Sequence, residues 1–325
     1  MWKKPVYIKT VCSGRTPRGP RPVAAVAAAR LGEDVPVRHV QKERKGSAPT
    51  FGRRNRPGRT VFGFSTAKVG FMDCLIGYTG FVGGNLAEQG NFDVLINSKN
   101  FHTIENCRFD RVVCAGVSAV KWKANKDPEN DLARIEELAE VLKTVHAGKF
   151  VLISTIDVYP VNSDVDEDFD CRTRENHPYG RHRLQFEEFC SSHFPDVLTV
   201  RLPGLFGKGL KKNVIFDLLN DNCLDMINRE SSFQYYDLRN LSCDIALAEK
   251  AGLHLVNFFT EPIRTGAIID RFFPGKRVGA NASPPVSYDM HTKYACLRGL
   301  SGNYLYGAGE IMALLEEFIA GYRHA

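Results

Sequence analysis

Three glycines at three-residue spacing stand in the run Gly77-Tyr78-Thr79-Gly80-Phe81-Val82-Gly83. In such a run the first glycine permits a tight turn. The second lets a pyrophosphate approach the backbone, and the third lets a helix pack closely on a strand. If a helix begins here, its first N–H groups are free to face negative charge. The chemistry on offer is a dinucleotide phosphate cradle made by Gly77, Thr79, Gly80, Phe81, Val82 and Gly83. A second candidate is Asn97-Ser98-Lys99-Asn100. An acidic residue there would accept bonds from an adenine ribose and repel a 2′-phosphate. None is present, since Asp93 stands earlier; Asn97, Ser98 and Lys99 are the candidate cofactor residues here, and Ser98 and Lys99 suit a 2′-phosphate. NADP is therefore expected over NAD; the plainer alternative is that Lys99 is only a solvated turn lysine.

These residues need elements to position them. Asp73–Ile76 is a short apolar run that reads as a buried strand, and Phe81–Gln89 reads as a helix stopped at Gly90. A glycine triplet alone is a weak signal, and its place between strand and helix strengthens it. Phe92–Ile96 reads as the second strand. Phe101–Arg108 is too short for a full helix and strand, so that crossover is reduced. Arg111–Cys114 reads as the next strand, and Ala115 and Gly116 after it are small enough to let a cofactor lie close to the backbone. A helix is expected from about Glu129 to His146, with an apolar stripe of Leu132, Ile135, Leu138, Leu142 and Val145 and a stop at Gly148. Phe150–Ser154 then reads as another buried strand. Strands alternating with helices imply an α/β fold of Rossmann type, doubly wound, with a mostly parallel sheet.

Composition limits the alternatives. The 325 residues are 43% hydrophobic and 25% charged, which suits a globular core. The net charge of +6 is uneven. Residues 1–71 hold 16 Lys and Arg against 3 Asp and Glu, whereas the rest holds 27 against 34. The body is mildly acidic and makes no general case for nucleic-acid binding. Residues 1–71 read as a disordered or extraneous basic leader: a tail, an organelle transit peptide, or a start-site artefact with translation beginning at Met72, the last being favoured. The nine cysteines form no Cys-x-x-Cys pair and no metal-ligand spacing, so no metal is expected and a cytoplasmic location is. No apolar run reaches membrane-spanning length.

The Phe150–Ser154 strand leads into Ser154-Thr155-Ile156-Asp157-Val158-Tyr159. An acidic loop follows, then His177-Pro178-Tyr179-Gly180-Arg181-His182-Arg183, opening a helix to about Cys190. With the glycine loop and Arg201-Leu202-Pro203-Gly204-Leu205-Phe206-Gly207, these segments resemble the extended short-chain dehydrogenases/reductases, the NAD(P)-dependent epimerase/dehydratase superfamily. The resemblance covers Met72 to roughly Ile269. Ser154-Thr155 with Asp157, and Ala119-Val120, are most similar to dehydrorhamnose-type nucleotide-sugar reductases.

The resemblance implies that Tyr179 is the general acid/base at a substrate carbonyl and that Thr155, or its neighbour Ser154, hydrogen-bonds the same oxygen. Four residues after the tyrosine the family carries a lysine that binds the nicotinamide ribose and lowers the tyrosine pKa. Here that position is Arg183. Arginine supplies the charge, but its planar fork cannot copy the lysine's point contact. His182 reads as a surface helix histidine, the alternative being that it shares protons with the site. Pro203 to Gly209 would close over the nicotinamide, and Lys211, Lys212 and Asn213, before a helix at Val214–Leu219, would meet a substrate diphosphate.

Further on, Ser232–Leu238 and Leu255–Phe259 read as strands, and Asp244–Leu253 and Glu310–Tyr322 as helices. The expected organisation is a leader at 1–71, an NAD(P)-binding core at 72–202 and a mixed C-terminal part at 203–325 with a small substrate-binding portion. The expected activity is NAD(P)-dependent reduction or oxidation of a carbonyl/alcohol, with a nucleotide-linked sugar as candidate substrate. An epimerase/dehydratase with tightly held cofactor is the first alternative. A nucleotide-binding module weakened in catalysis by Arg183 is the second. The resemblance also implies a homodimer.

Overall fold

The computed structural model describes residues 72–323. The leader reading of residues 1–71 lies outside the described residues. The chain opens with β1 (Asp73–Ile76), α1 (Phe81–Gln89) and β2 (Val94–Ile96). The short link at 97–107 holds one 3-10 turn and leads to β3 (Arg108–Cys114). Two helices follow, α2 (Lys121–Lys126) and α3 (Pro128–Leu142), then β4 (His146–Thr155). Next come α4 (Pro178–His193), β5 (Val197–Leu202), β6 (Gly204–Phe206) and α5 (Val214–Asn220). The rest is β7 (Ser232–Phe233), β8 (Tyr235–Asp237), α6 (Leu241–Lys250), β9 (Leu255–Asn257), β10 (Ile263–Arg264), α7 (Thr265–Phe272) and α8 (Ala308–Arg323).

Six strands form one all-parallel sheet in the order β2-β1-β3-β4-β5-β9. The order reverses between β1 and β3, so the carboxyl ends of those strands open a crevice of the kind that binds ligands. The reduced crossover is present: β2 is the sheet edge among the described residues. Alternation along the strands feeds two cores. Leu75, Val113, Val151 and Leu198 pack on one face with Leu86 of α1, Ile245 of α6 and Leu315 of α8. Cys74, Val112, Phe150 and Leu152 pack on the other with Ile135 and Leu138 of α3 and Phe186 of α4. The late strand β9 completes the sheet, so the C-terminal part is built into the core.

Two expected elements differ, and two further ones were not expected. Gly148 does not stop α3, which ends at Leu142; it lies inside β4, where a Cβ would stand 2.8 Å from the Asp110 carbonyl oxygen of β3. The expected Ser232–Leu238 strand is two strands broken at Gln234. Gln234 is buried and donates to the carbonyls of Thr260 and Met290, so β7 pairs with β10 and β8 with β6. The helix α2 and the strand β6 had no apolar period to announce them.

Candidate functional site

The glycine loop lies at the sheet's reversal point. Gly77 has φ +91°, and a Cβ there would stand 2.3 Å from the Ala115 carbonyl oxygen. A Cβ on Gly83 would stand 2.1 Å from the Gly77 carbonyl oxygen. Backbone packing alone requires these two glycines. Gly80 differs: a Cβ there would meet only the Gly77 oxygen, at 3.2 Å. Gly80 is the N-cap of α1 and supplies no side-chain acceptor to the first helical N–H groups. It is exposed, as is Thr79, while Phe81 and Val82 are half-buried. An open helix N-terminus beside an exposed glycine fits a cofactor phosphate. Ala115 and Gly116 face Gly77, and a Gly116 Cβ would also meet Ile76 at 2.9 Å, so their smallness serves the loop itself. Pro203 is buried between β5 and β6. The loop beyond is tied to α1: Asn85 Nδ2 donates to the Lys208 carbonyl (2.9 Å), and Lys208 pairs with Glu88 (2.6 Å).

At the β2 end, Asn97 Nδ2 donates to the Tyr78 hydroxyl (3.2 Å), and Asn97 Oδ1 accepts from the Lys99 N–H (2.8 Å). Ser98 and Lys99 are exposed. Asp93 accepts from the Asp73 N–H at the opposite end of the strand (2.8 Å). The Tyr78–Asn97 link joins the glycine loop to the strand end, and no sequence pattern announced it.

The carboxyl end of β4 delivers Thr155, whose Oγ1 accepts from the Asp157 N–H (3.2 Å) as the chain enters a short 3-10 turn. Helix α4 packs hard on this turn because residue 180 is glycine: a Cβ would stand 2.1 Å from the Asp157 carbonyl oxygen. Asn176 Nδ2 adds bonds to the Asp157 and Val158 carbonyls, and Asn125 Oδ1 of α2 accepts from the Tyr179 N–H. Tyr179 is thereby brought to Thr155. It is buried, and that burial, together with the Asp157 charge, pushes its phenol up to about 12. The Arg183 charge and the Thr155 side chain oppose the shift without cancelling it.

Arg183 does not reach out from the helix as a free cation. Its guanidinium lies 3.9 Å from the centre of the Tyr179 ring, over the face. Both terminal nitrogens donate to Asp131 of α3, at 2.5 and 2.9 Å, and Nη2 also donates to the Ser118 carbonyl. Nε is buried with no hydrogen-bond partner. Burial alone would raise the Asp131 pKa, but hydrogen bonds from Arg183 and His182 outweigh it and hold the carboxyl below its usual value. His182 is not a surface residue: it is 3% exposed, and its Nδ1 lies 2.8 Å from Asp131. The helix face expected to be solvated packs on α3, through a contact 51 residues away in sequence that no local pattern signals.

Ser154 precedes Thr155 in the strand and so faces the other way. Its hydroxyl donates to Glu187, which pairs with buried Arg201 (2.7 Å) beneath the sheet's end. Lys212 donates to the Ala119 carbonyl before α2, and Lys211 is exposed. Asn213 is the N-cap of α5: Oδ1 accepts from the Phe216 N–H, and Nδ2 donates to the Leu205 carbonyl. Lys121, Asn125, Asp131 and His177 are polar neighbours of this site that sequence reasoning missed. Among the described residues, no group of three or more His, Cys, Asp and Glu side chains could hold a metal ion. No described helix is long and apolar enough to cross a membrane.

Residues 91–224 match the family model described as NAD dependent epimerase/dehydratase family. The resemblance read from the sequence is borne out, and the matched stretch holds Thr155, Tyr179 and Arg183. Among solved structures, a UDP-glucuronic acid 4-epimerase from Bacillus cereus, in complex with UDP-glucuronic acid and NAD, is 17% identical (TM-score 0.58), covering 77% of this chain and 100% of that one. The NAD-dependent NDP-hexosamine 5,6-dehydratase TunA is 15% identical, with TM-score 0.62, covering 79% and 99%. The dTDP-4-dehydrorhamnose reductase from Yersinia enterocolitica is 15% identical, with TM-score 0.56, covering 77% and 99%. At such identity these likenesses establish a common α/β fold. No curated protein matches the chain.

Proposed function

We propose that this chain is an NADP-dependent enzyme that reduces a carbonyl, or oxidises the matching alcohol, on a nucleotide-linked sugar, with Tyr179 as the proton-transfer group. The observation that carries this reading is the meeting of Tyr179 with Thr155 at the carboxyl end of the sheet that bears the glycine loop. A bound nicotinamide would supply or accept the hydride. The N-terminus of α1 would hold its phosphates, and Ser98 and Lys99 a 2′-phosphate. Thr155 and Tyr179 would bind the substrate oxygen between two hydroxyls. With its pKa near 12, Tyr179 stands protonated at neutral pH and is suited to donate a proton to an oxygen that gains negative charge. Lys211 and Lys212 would face a substrate diphosphate. The named relatives support the sugar-nucleotide class: one is a complex with UDP-glucuronic acid and NAD, and another is a dTDP-4-dehydrorhamnose reductase. The reading includes a cytoplasmic setting, which the eight described free cysteines suit, and a homodimer.

The test is Tyr179→Phe. It leaves the ring for Arg183 to cover, so the fold should hold while carbonyl reduction falls by about 10²–10⁴-fold. Unchanged turnover would refute the role of Tyr179. A second reading, epimerisation or dehydration with retained cofactor, is favoured by Asp157 beside Tyr179. It would show as sugar turnover with no net consumption of NADPH.

A further inference from the structure

The N-cap of α4 is a histidine, where serine, threonine, aspartate or asparagine is usual. His177 Nδ1 accepts the Gly180 N–H at 3.0 Å. An imidazole nitrogen that accepts a backbone N–H carries no proton, so the proton of the neutral ring is on Nε2. Nε2 lies 3.9 Å from Asp157 Oδ1. That distance is too long for a hydrogen bond. It is the separation that one oxygen about 2.8 Å from both atoms would bridge, at the apex of a triangle on this base. Asp157 Oδ1 also accepts from Lys121 Nζ at 2.6 Å, which fixes it in place and leaves it a second lone pair. The His177 and Tyr179 ring centres are 6.2 Å apart, and the Asp157 charge acts on the Tyr179 phenol, so the two groups neighbour the Tyr179 side chain.

We propose that His177 Nε2–H and the Asp157 carboxylate form a donor–acceptor clamp for one substrate hydroxyl next to the carbon that Tyr179 serves. This deepens the proposed function and rests on it. A hydroxyl both donates and accepts, and the clamp offers one group for each. An ether, a deoxy position or a charged group in the same place would leave one member unpaired. The charges facing His177 are Lys121 from α2, Asp157 from the turn after β4 and Arg183 from its own helix. Burial first, and then the Lys121 charge, hold the ring below its ordinary pKa against the pull of Asp157, so the neutral form persists at pH 7. Acidification would protonate Nδ1 and release both the cap and the fixed tautomer.

The test is His177→Ser in the full chain, with Asp157→Asn beside it. Serine keeps an acceptor for the Gly180 N–H and removes the reach to the gap. The probes are nucleoside diphosphate hexoses and their monodeoxy analogues, with NADPH affinity and thermal unfolding measured in parallel. For a hexose turned over by the wild type, KM should rise about 10–100-fold in either variant, with NADPH affinity unchanged. One monodeoxy analogue should bind the wild type as weakly as the full sugar binds His177→Ser, and should lose nothing further in that variant. An unchanged KM in His177→Ser for every hexose the wild type turns over would overturn the clamp and leave the proposed function standing. Wild-type protein that binds NADPH but none of these sugars would overturn both.

Discussion

Arg183→Ala is the substitution whose cost the structure defines best. Arg183 is 5% exposed and its partner Asp131 9% exposed at the side chain. Removing the guanidinium leaves a buried carboxylate with His182 as its remaining side-chain partner. Breaking a buried ion pair from one side costs about 3–5 kcal/mol. For a domain of this size that lowers the unfolding midpoint by roughly 6–20 °C. Arg183→Met combined with Asp131→Leu removes both charges and keeps volume, so it should recover about half of the loss, the rest reflecting His182 left without its acceptor. The assay is urea and thermal unfolding of wild type, single and double variants. Because the Asp131 pKa is lowered in the folded state, the wild-type advantage over the double variant is fully present above about pH 4. It fades as pH falls through the still lower folded-state value. A single variant within about 1 kcal/mol of wild type, or a double variant no better than the single, would refute this account of Arg183.

The glycines of the loop should separate by role. Gly83→Ala places a Cβ against the Gly77 carbonyl oxygen and should cost several kcal/mol by urea unfolding. Gly80→Ala should cost about 1 kcal/mol yet weaken NADPH binding at least about tenfold by calorimetry. The Tyr179 pKa near 12 sets the pH profile. Alcohol oxidation should rise with pH up to that value as the phenolate fraction grows, while carbonyl reduction should show no phenol ionisation between about pH 6 and 10; stopped-flow rates in the two directions check both.

The sequence made the sheet legible where chemistry and packing share a local pattern. Asp73–Ile76 and Phe81–Gln89 read correctly because a buried apolar run, a glycine turn and a short helix adjoin each other. Thr155 and Tyr179 were legible as a pair by resemblance, and Gly180 explains physically why they meet. What could not be read depends on contacts far apart in the chain. Asp131 neutralises Arg183 from another helix, 52 residues away. Lys121 reaches Asp157 across 36 residues. Gly148 looked like a helix stop because glycine often is one, yet here it admits a neighbouring strand. His177 was visible as a residue, but a histidine N-cap carries no usual signature, and its tautomer follows only from the Gly180 bond.

In the proposed enzyme the loop at Gly77–Gly83 binds a nicotinamide dinucleotide for chemistry at Tyr179. Calorimetric titration of the full chain with NADPH and NADH decides whether it does. Saturable one-to-one binding of both, tighter for NADPH by at least about tenfold, is the expected result. Tighter NADH would overturn the roles of Ser98 and Lys99 alone. A folded protein that binds neither would contradict the account.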